Sequence, residues 1–451
     1  MFLFLSRSKA FSAPALHLAA LWFVTSLCAS PAGDTSGVVW HGSRGITEDV
    51  GKIMGREEVS PKGAQLPGVR AAHRRAIPQR TLAHNPQAPA VSQWPVPSPS
   101  SPDSGNPTPL VPQTVGASFL GIQLFESGYI PPDSMGAVGP TQLLLIANGR
   151  IKVFNKDGTP GPLNTTTDNF FASVTSAGSS DPRARYDRLS QRWFITMIDV
   201  ATDNKILIAV SSGPTITGAG SFTFFQFQHD LVGTTPNSDT GGFADYDSLG
   251  VDRFALYIGI NVFNAAGTAL LGTTGFVVNK SNLFSGTLTV TAFRQLATAT
   301  GAGPFAPRGV SNDDPTATEG YFIGVDNVVF SKLQVRRVSN PGGTPSISGN
   351  LSLTVPTTDF PISQVHKGNT LNQNLDALDD RLFGAAIHKN KITGTSSLWT
   401  AHNIQVSSSG TASSTGGRNG SRWYEIGSLS GTPTLVQAGT LFDSAACALR
   451  H

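Results

Sequence analysis

The sequence predicts an all-β fold, a β-propeller of about five to six irregular four-stranded blades, and three observations carry that expectation. Only 14% of the 451 residues are charged, while 48 glycines and 30 prolines punctuate the chain; this suits many short strands joined by turns and not long amphipathic helices. Beyond residue 115, short apolar or alternating runs recur between clusters of Gly, Pro, Asn and Asp, the pattern of strands and turns. An acidic loop recurs ahead of the apolar strands, so a single supersecondary unit is repeated.

Three regions follow from the N-terminus. Residues 1–32 read as a secretory signal: Arg7 and Lys9 precede an apolar core at residues 16–28, and Ala29, Ser30 and Ala32 offer cleavage positions. That core is shorter than the ~20 residues needed to span a bilayer, so the mature chain is expected to be secreted or held at the cell surface without a membrane span. Residues 33–115 show no lasting hydrophobic period and end in a proline-rich run at 85–112, which reads as a disordered linker. Within it Arg74-Arg75 is a bare dibasic pair. Of the two cysteines, Cys28 falls in the signal and Cys447 near the C-terminus, so no disulfide is expected in the domain.

Residues 116–451 form the propeller. Strands are expected at 142–148, 151–155, 192–198, 205–211, 223–228, 254–263, 275–279, 288–293, 320–325, 328–335, 382–388, 398–406 and 422–426. The units open at 132–136 (PDSMG), 181–183 (DPR), 244–247 (ADYD), 313–315 (DDP) and 378–381 (LDDR). A lone four-stranded sheet cannot cover its own faces, so units of this size stack radially. A pair of β-sandwiches also explains the strands, but not the recurring acidic loop.

At residues 131–140 (PPDSMGAVGP), 181–187 (DPRARYD) with Arg192-Trp193-Phe194, and 422–426 (RWYEI), the chain resembles a group of uncharacterised secreted bacterial β-propeller-like proteins. The resemblance implies export and fold and brings no assigned activity. It also implies a further blade beyond residues 439–445, so a ring incomplete at the C-terminus is expected.

Net charge is +3 with the basic residues scattered, which excludes the electrostatic footprint of a nucleic-acid binder. No metalloprotease histidine pair, nucleophile elbow or phosphate loop is present. The candidate ligand-binding residues are the repeated acids Asp133, Asp181, Asp245, Asp314 and Asp379, which converge on the axial channel if each starts an innermost strand. Arg183 and Arg381, with Arg185 and Arg422, could clamp a carboxylate through paired N–H donors. Capping of turns explains the same aspartates without any ligand. No cofactor is expected, although acidic loops at 237–247 and 312–319 offer oxygen ligands for Ca²⁺. Trp193, Trp399, Trp423 and Tyr424 read as blade core. The sequence leaves open whether the chain is an enzyme. Its first functional reading is a binding module for a glycan, peptide or surface partner; the alternative is an extracellular polysaccharide hydrolase or lyase using axial carboxylates, and a purely structural surface protein is the third.

Overall fold

The computed structural model describes residues 34–59, 70–71, 80–90, 114–366 and 374–444. The expected signal, the dibasic pair, both cysteines and residues 91–112 of the proline-rich run lie outside them. No helix among the described residues is long and apolar enough to cross a membrane.

The chain forms a β-propeller of five blades. Blade 1 runs outward through Met135–Val138, Gln142–Ala147, Arg150–Asn155 and Pro160–Thr165; blade 2 through Ser179–Asp187, Arg192–Asp199, Lys205–Ser211 and Ser221–Gln228. Blade 3 begins with Phe243–Asp245 and Gly250–Val251, both paired to Ala255–Phe263, and continues through Leu270–Asn279 and Thr289–Phe293. Blade 4 comprises Pro304–Gly309, Glu319–Asp326, Lys332–Ser339, and then Ser346–Ile347 and Leu351–Thr354. In blade 5, Ser311–Asn312 pairs in parallel with Gly384–Lys389, followed by Ser396–Val406, Arg418–Gly427 and Thr434–Leu441.

Packing explains which strands were visible in the sequence. Arg192–Asp199 (RWFITMID) and Lys205–Ser211 (KILIAVS) are buried on both faces between neighbouring blades, so they read as unbroken apolar runs. The innermost strands read as loops because they carry Pro, Gly and charge; Asp181 and Arg183 belong to Ser179–Asp187 itself.

Apolar clusters fill the junctions between consecutive blades. Trp193, Ile195 and Leu207 of blade 2 meet Leu144, Ile151 and Val153 of blade 1, joined by Phe170 and Phe171 from a short helix, Thr167–Phe171. Other clusters join blades 2 and 3, 3 and 4, and 4 and 5. Among the described residues no such cluster joins blade 5 to blade 1. Blade 1 is covered there by its own preceding segment, where Phe119 packs on Phe154 with ring centroids 5.0 Å apart. Blade 5 presents Trp399 stacked on Trp423 at 5.8 Å.

Residues 34–59 correct the linker expectation. Thr35–Ser36 adds the outer strand of blade 4, Val39–His41 that of blade 3, and Ile46–Asp49 that of blade 2. A helix, Val50–Val59, then sends Val50 and Ile53 into the core between blades 1 and 2. Glu48 holds the helix through paired hydrogen bonds from Arg56 at 3.1 and 3.0 Å, and Glu57 accepts from Arg150, Thr165 and Asn169. The apolar positions Val50, Ile53 and Met54 do follow helical spacing, over too short a span to register as a period.

Replacing Ile53, which has no exposed surface, with Ala is expected to destabilise the protein by about 2–5 kcal/mol in chemical denaturation. A change below ~0.5 kcal/mol would restore the linker reading for this segment.

Candidate functional site

The inner strands of four blades share a local device. Asp181 (φ 56°) and Ala306 (φ 45°) adopt the left-handed conformation, each followed by Pro and Arg, and at each the strand register skips. Proline suits this bulge because no ladder hydrogen bond is asked of its nitrogen. Tyr246 (φ 57°) and Leu378 (φ 58°) occupy the matching places in blades 3 and 5, and Asp133 (φ 43°) precedes the first strand of blade 1.

These turns bring side chains from one blade onto the backbone of the next. Arg183 Nε donates to the Asp247 carbonyl at 2.7 Å, Ser248 Oγ to the Pro307 carbonyl at 2.8 Å, and Arg308 Nε to the Leu382 carbonyl at 2.6 Å. Between blades 1 and 2 the link is Asn148, which donates to Asp133 at 2.7 Å and accepts from the Asp181 amide at 3.0 Å.

The result is a polar cluster on the axis to which all five blades contribute. Asp133, Asp181, Asp245 and Tyr246 are half-buried and reach solvent, while Arg183, Asp247, Arg308 and Arg381 are buried behind them. Three guanidinium carbons lie 4.0 Å (Arg381), 4.3 Å (Arg308) and 5.6 Å (Arg183) from the centre of the Tyr246 ring. Burial pushes the Asp133 carboxyl up, helped by the nearby Asp181 carboxylate and opposed by the hydrogen bond from Asn148. Asp247, fully buried and accepting from Thr196 Oγ1 at 3.0 Å, is pushed up to about 7 by desolvation against the opposing pull of Arg183.

Blade 5 closes the cluster with a second set of pairs. Asp379 takes both Nε and Nη2 of Arg381 at 2.8 Å, and although burial opposes it, Arg381 holds this carboxyl down to about 2. Asp380 is raised to about 6 by burial and pairs with Arg80, which arrives from the N-terminal segment and stacks 3.7 Å over Phe305. His402 fixes the Asp380 backbone: Nδ1 donates to its carbonyl at 2.6 Å, so Nε2 is left to accept from the Tyr424 hydroxyl at 2.9 Å. Burial lowers His402 to about 4, consistent with that neutral form.

Six of the seven candidate residues thus come together: Asp133, Asp181, Asp245, Asp379, Arg183 and Arg381. Asp314 does not. It lies after the inner strand of blade 4, where it caps a turn by accepting from the Thr316 amide and hydroxyl at 2.8 and 2.6 Å. The place assigned to it is filled by Ala306-Pro307-Arg308, which lacks an acid altogether; the shared Pro-Arg was the signal that could have located it. Arg422 also sits apart, buried in blade 5 on Thr440 Oγ1 at 2.7 Å. Arg185 faces a cavity of about 540 Å³ further along the inner strands, lined by residues including Val138, Val251, Asp313, His388 and Trp399. Sequence reasoning did not single out Tyr246, Asp247, Arg308, Arg80 or Asn148 as site residues.

Among the described residues no group of three or more His, Cys, Asp or Glu is arranged to hold a metal ion. In the two acidic loops considered for calcium, Asp239 is engaged by Arg294 and Thr274, and Asp314 by its own turn.

No protein-family model matches the sequence, and no curated protein matches it. Among solved structures the chain is similar to a GH43 β-1,3-galactosidase determined with galactodeoxynojirimycin, at 8% identity over 67% of this chain and 93% of that one, TM-score 0.32. It is similar also to an α-L-arabinofuranosidase from Lactobacillus brevis (10% identity, 67% and 92% covered, TM-score 0.33). A third is a subtype N10 neuraminidase-like protein of A/little yellow-shouldered bat/Guatemala (12%, 69% and 82%, TM-score 0.35). Likeness at these scores carries no activity, substrate or site residue across to this chain.

Asp247 gives the cluster a pH signature. Its folded pKa lies above the usual carboxylate value, so the folded state holds the proton longer and stability is lost as pH rises from about 4 through 7. Asp247→Asn, which mimics the protonated form, is expected to gain on the wild type by up to roughly 4 kcal/mol across that window. Denaturant unfolding of both proteins from pH 4 to 8 measures the difference; a flat difference would show Asp247 to be unperturbed.

Proposed function

We propose that the chain is an extracellular enzyme acting on a polysaccharide, a hydrolase or lyase whose site is the axial cluster at the starts of the inner strands. One observation carries this reading: half-exposed Asp133 and Asp181 meet across Asn148, which donates to the Asp133 carboxyl and accepts from the Asp181 amide beside the buried Arg183, and burial with the nearby Asp181 carboxylate pushes Asp133 up toward its protonated form. The pair therefore offers a proton donor and a carboxylate at one place open to solvent. Two such groups are what glycosidic bond cleavage asks of a protein.

In the hydrolytic form of the reading, the protonated carboxyl of the pair gives its proton to the leaving glycosidic oxygen as the bond from the anomeric carbon to that oxygen breaks. Asp245, half-exposed on the neighbouring blade, takes a proton from the water that forms the new bond to carbon. Asp133 and Asp181, joined through Asn148, share one role here and Asp245 takes the other, since carboxylates working on opposite sides of a sugar stand ~5 Å or more apart. Asn148 and Arg183 position the pair.

The sequence placed a binding module first. A rigid mouth in which Arg183 and Arg308 also stitch the blades favours that second reading, and its signature is saturable glycan binding without turnover. Neither form of the proposal assigns a resident metal, so EDTA is expected to leave turnover unchanged.

Assay of the full chain against a panel of neutral and acidic polysaccharides is expected to detect released reducing ends or unsaturated products. Asp181→Asn and Asp245→Asn should each lower the rate by about 10²–10⁴-fold, and Asp314→Asn, in its exposed turn, should leave it unchanged. Turnover insensitive to the first two substitutions overturns the assignment.

A further inference from the structure

Arg308 is 4% exposed, and its only hydrogen bond among the described residues runs from Nε to the Leu382 carbonyl. Both terminal nitrogens carry no partner, and no carboxylate of the described residues forms an ion pair with it. Beside it, Arg381 Nη1 is fully shielded from solvent and unpartnered, and Arg183 spends Nε and Nη1 on backbone carbonyls, leaving Nη2 without one. All three guanidinium groups surround the half-buried Tyr246 ring. A buried cation with unpaired donors is costly, and leaving it so makes sense where something else completes it.

The charges around these donors define what completes them. Arg381 is matched by Asp379, and Arg183 has Asp247 at 3.9 Å. Of the three, Arg308 alone has no carboxylate of the described residues within ion-pair distance. A monoanion meets less repulsion than a dianion from Asp181 and Asp245 at the rim. A planar monoanion also fits the fork of guanidinium donors. Burial, and then the neighbouring Arg183 and Arg381, hold the Arg308 guanidinium down to about 10 against the pull of Tyr246 and Asp247.

We infer that Arg308, with the free Nη2 of Arg183 beside Tyr246, binds the carboxylate of an acidic sugar, so that the chain's glycan is one built on uronic acids. The inference rests on the glycan reading above for the word sugar, and on these donors alone for the carboxylate.

Binding by the full chain is measured by calorimetry and thermal shift with D-galacturonate, D-glucuronate, their methyl esters and inorganic sulfate. At least one uronate is expected to bind saturably and its methyl ester at least tenfold more weakly, since the ester keeps the ring and removes the charge. Arg308→Lys is expected to weaken uronate binding at least tenfold while ester binding does not change; should this variant fail to fold, the acid-to-ester ratio on the wild type decides. Equal binding of acid and ester, binding of neither, or binding of sulfate alone would each overturn the inference. The wild type separates the two proposals: uronate binding without any turnover leaves the carboxylate site standing and removes the enzyme.

Discussion

Backbone carbonyls at the starts of the inner strands have to be satisfied across the gap between blades, and that requirement organises the rest of the molecule. A ladder serves the groups within a sheet, but the carbonyls of Asp247, Pro307 and Leu382 accept from side chains of the preceding blade. Reaching them requires the chain to turn sharply, which places Asp181, Tyr246 and Ala306 in the left-handed region. Aspartate tolerates that conformation better than alanine or tyrosine, and strain in the latter two is offset by what the turn connects. Because arginine does the stitching in blades 2 and 4, positive charge is buried on the axis, and the aspartates of blades 1, 2, 3 and 5 gather beside it.

This dual duty explains how much of the site could be read in advance. The recurrence of Asp ahead of the apolar strands leads to Asp133, Asp181, Asp245 and Asp379 on the axis because the turn and the axis are the same place. It failed at Asp314, where an ordinary capped turn follows the inner strand and the true counterpart, Ala306-Pro307-Arg308, has alanine at the left-handed position. Composition sees an acid; only pairing register distinguishes a bulge from a turn. Tyr246 was passed over for a related reason: its importance comes from three arginines on three other blades, and no spacing along the chain encodes that.

The fold was legible where burial is two-sided and obscure where it is not. Long apolar runs such as residues 205–211 announced the central strands, while innermost strands bearing Pro and Arg resembled loops. The outer strands contributed by residues 35–49 were invisible for a different reason. Each is two to four residues long, too short for a period, and its partner lies far away in sequence. Local pattern carries no information about pairs of that kind.

Those distant pairs impose an order of events. Asp34 meets Ser339 across 305 positions, His41 meets Thr289 across 248, and Thr47 meets Thr223 across 176. The segment made first is thus completed from its inner end outward: residues 46–49 have a partner once blade 2 exists, 39–41 wait for blade 3, and 35–36 wait for blade 4. Until each arrives, the corresponding sheet edge is an open template for pairing with another chain. Loop closures of this length slow folding through their entropy, so the same residues that seal three edges in the finished protein set how long those edges stand exposed beforehand.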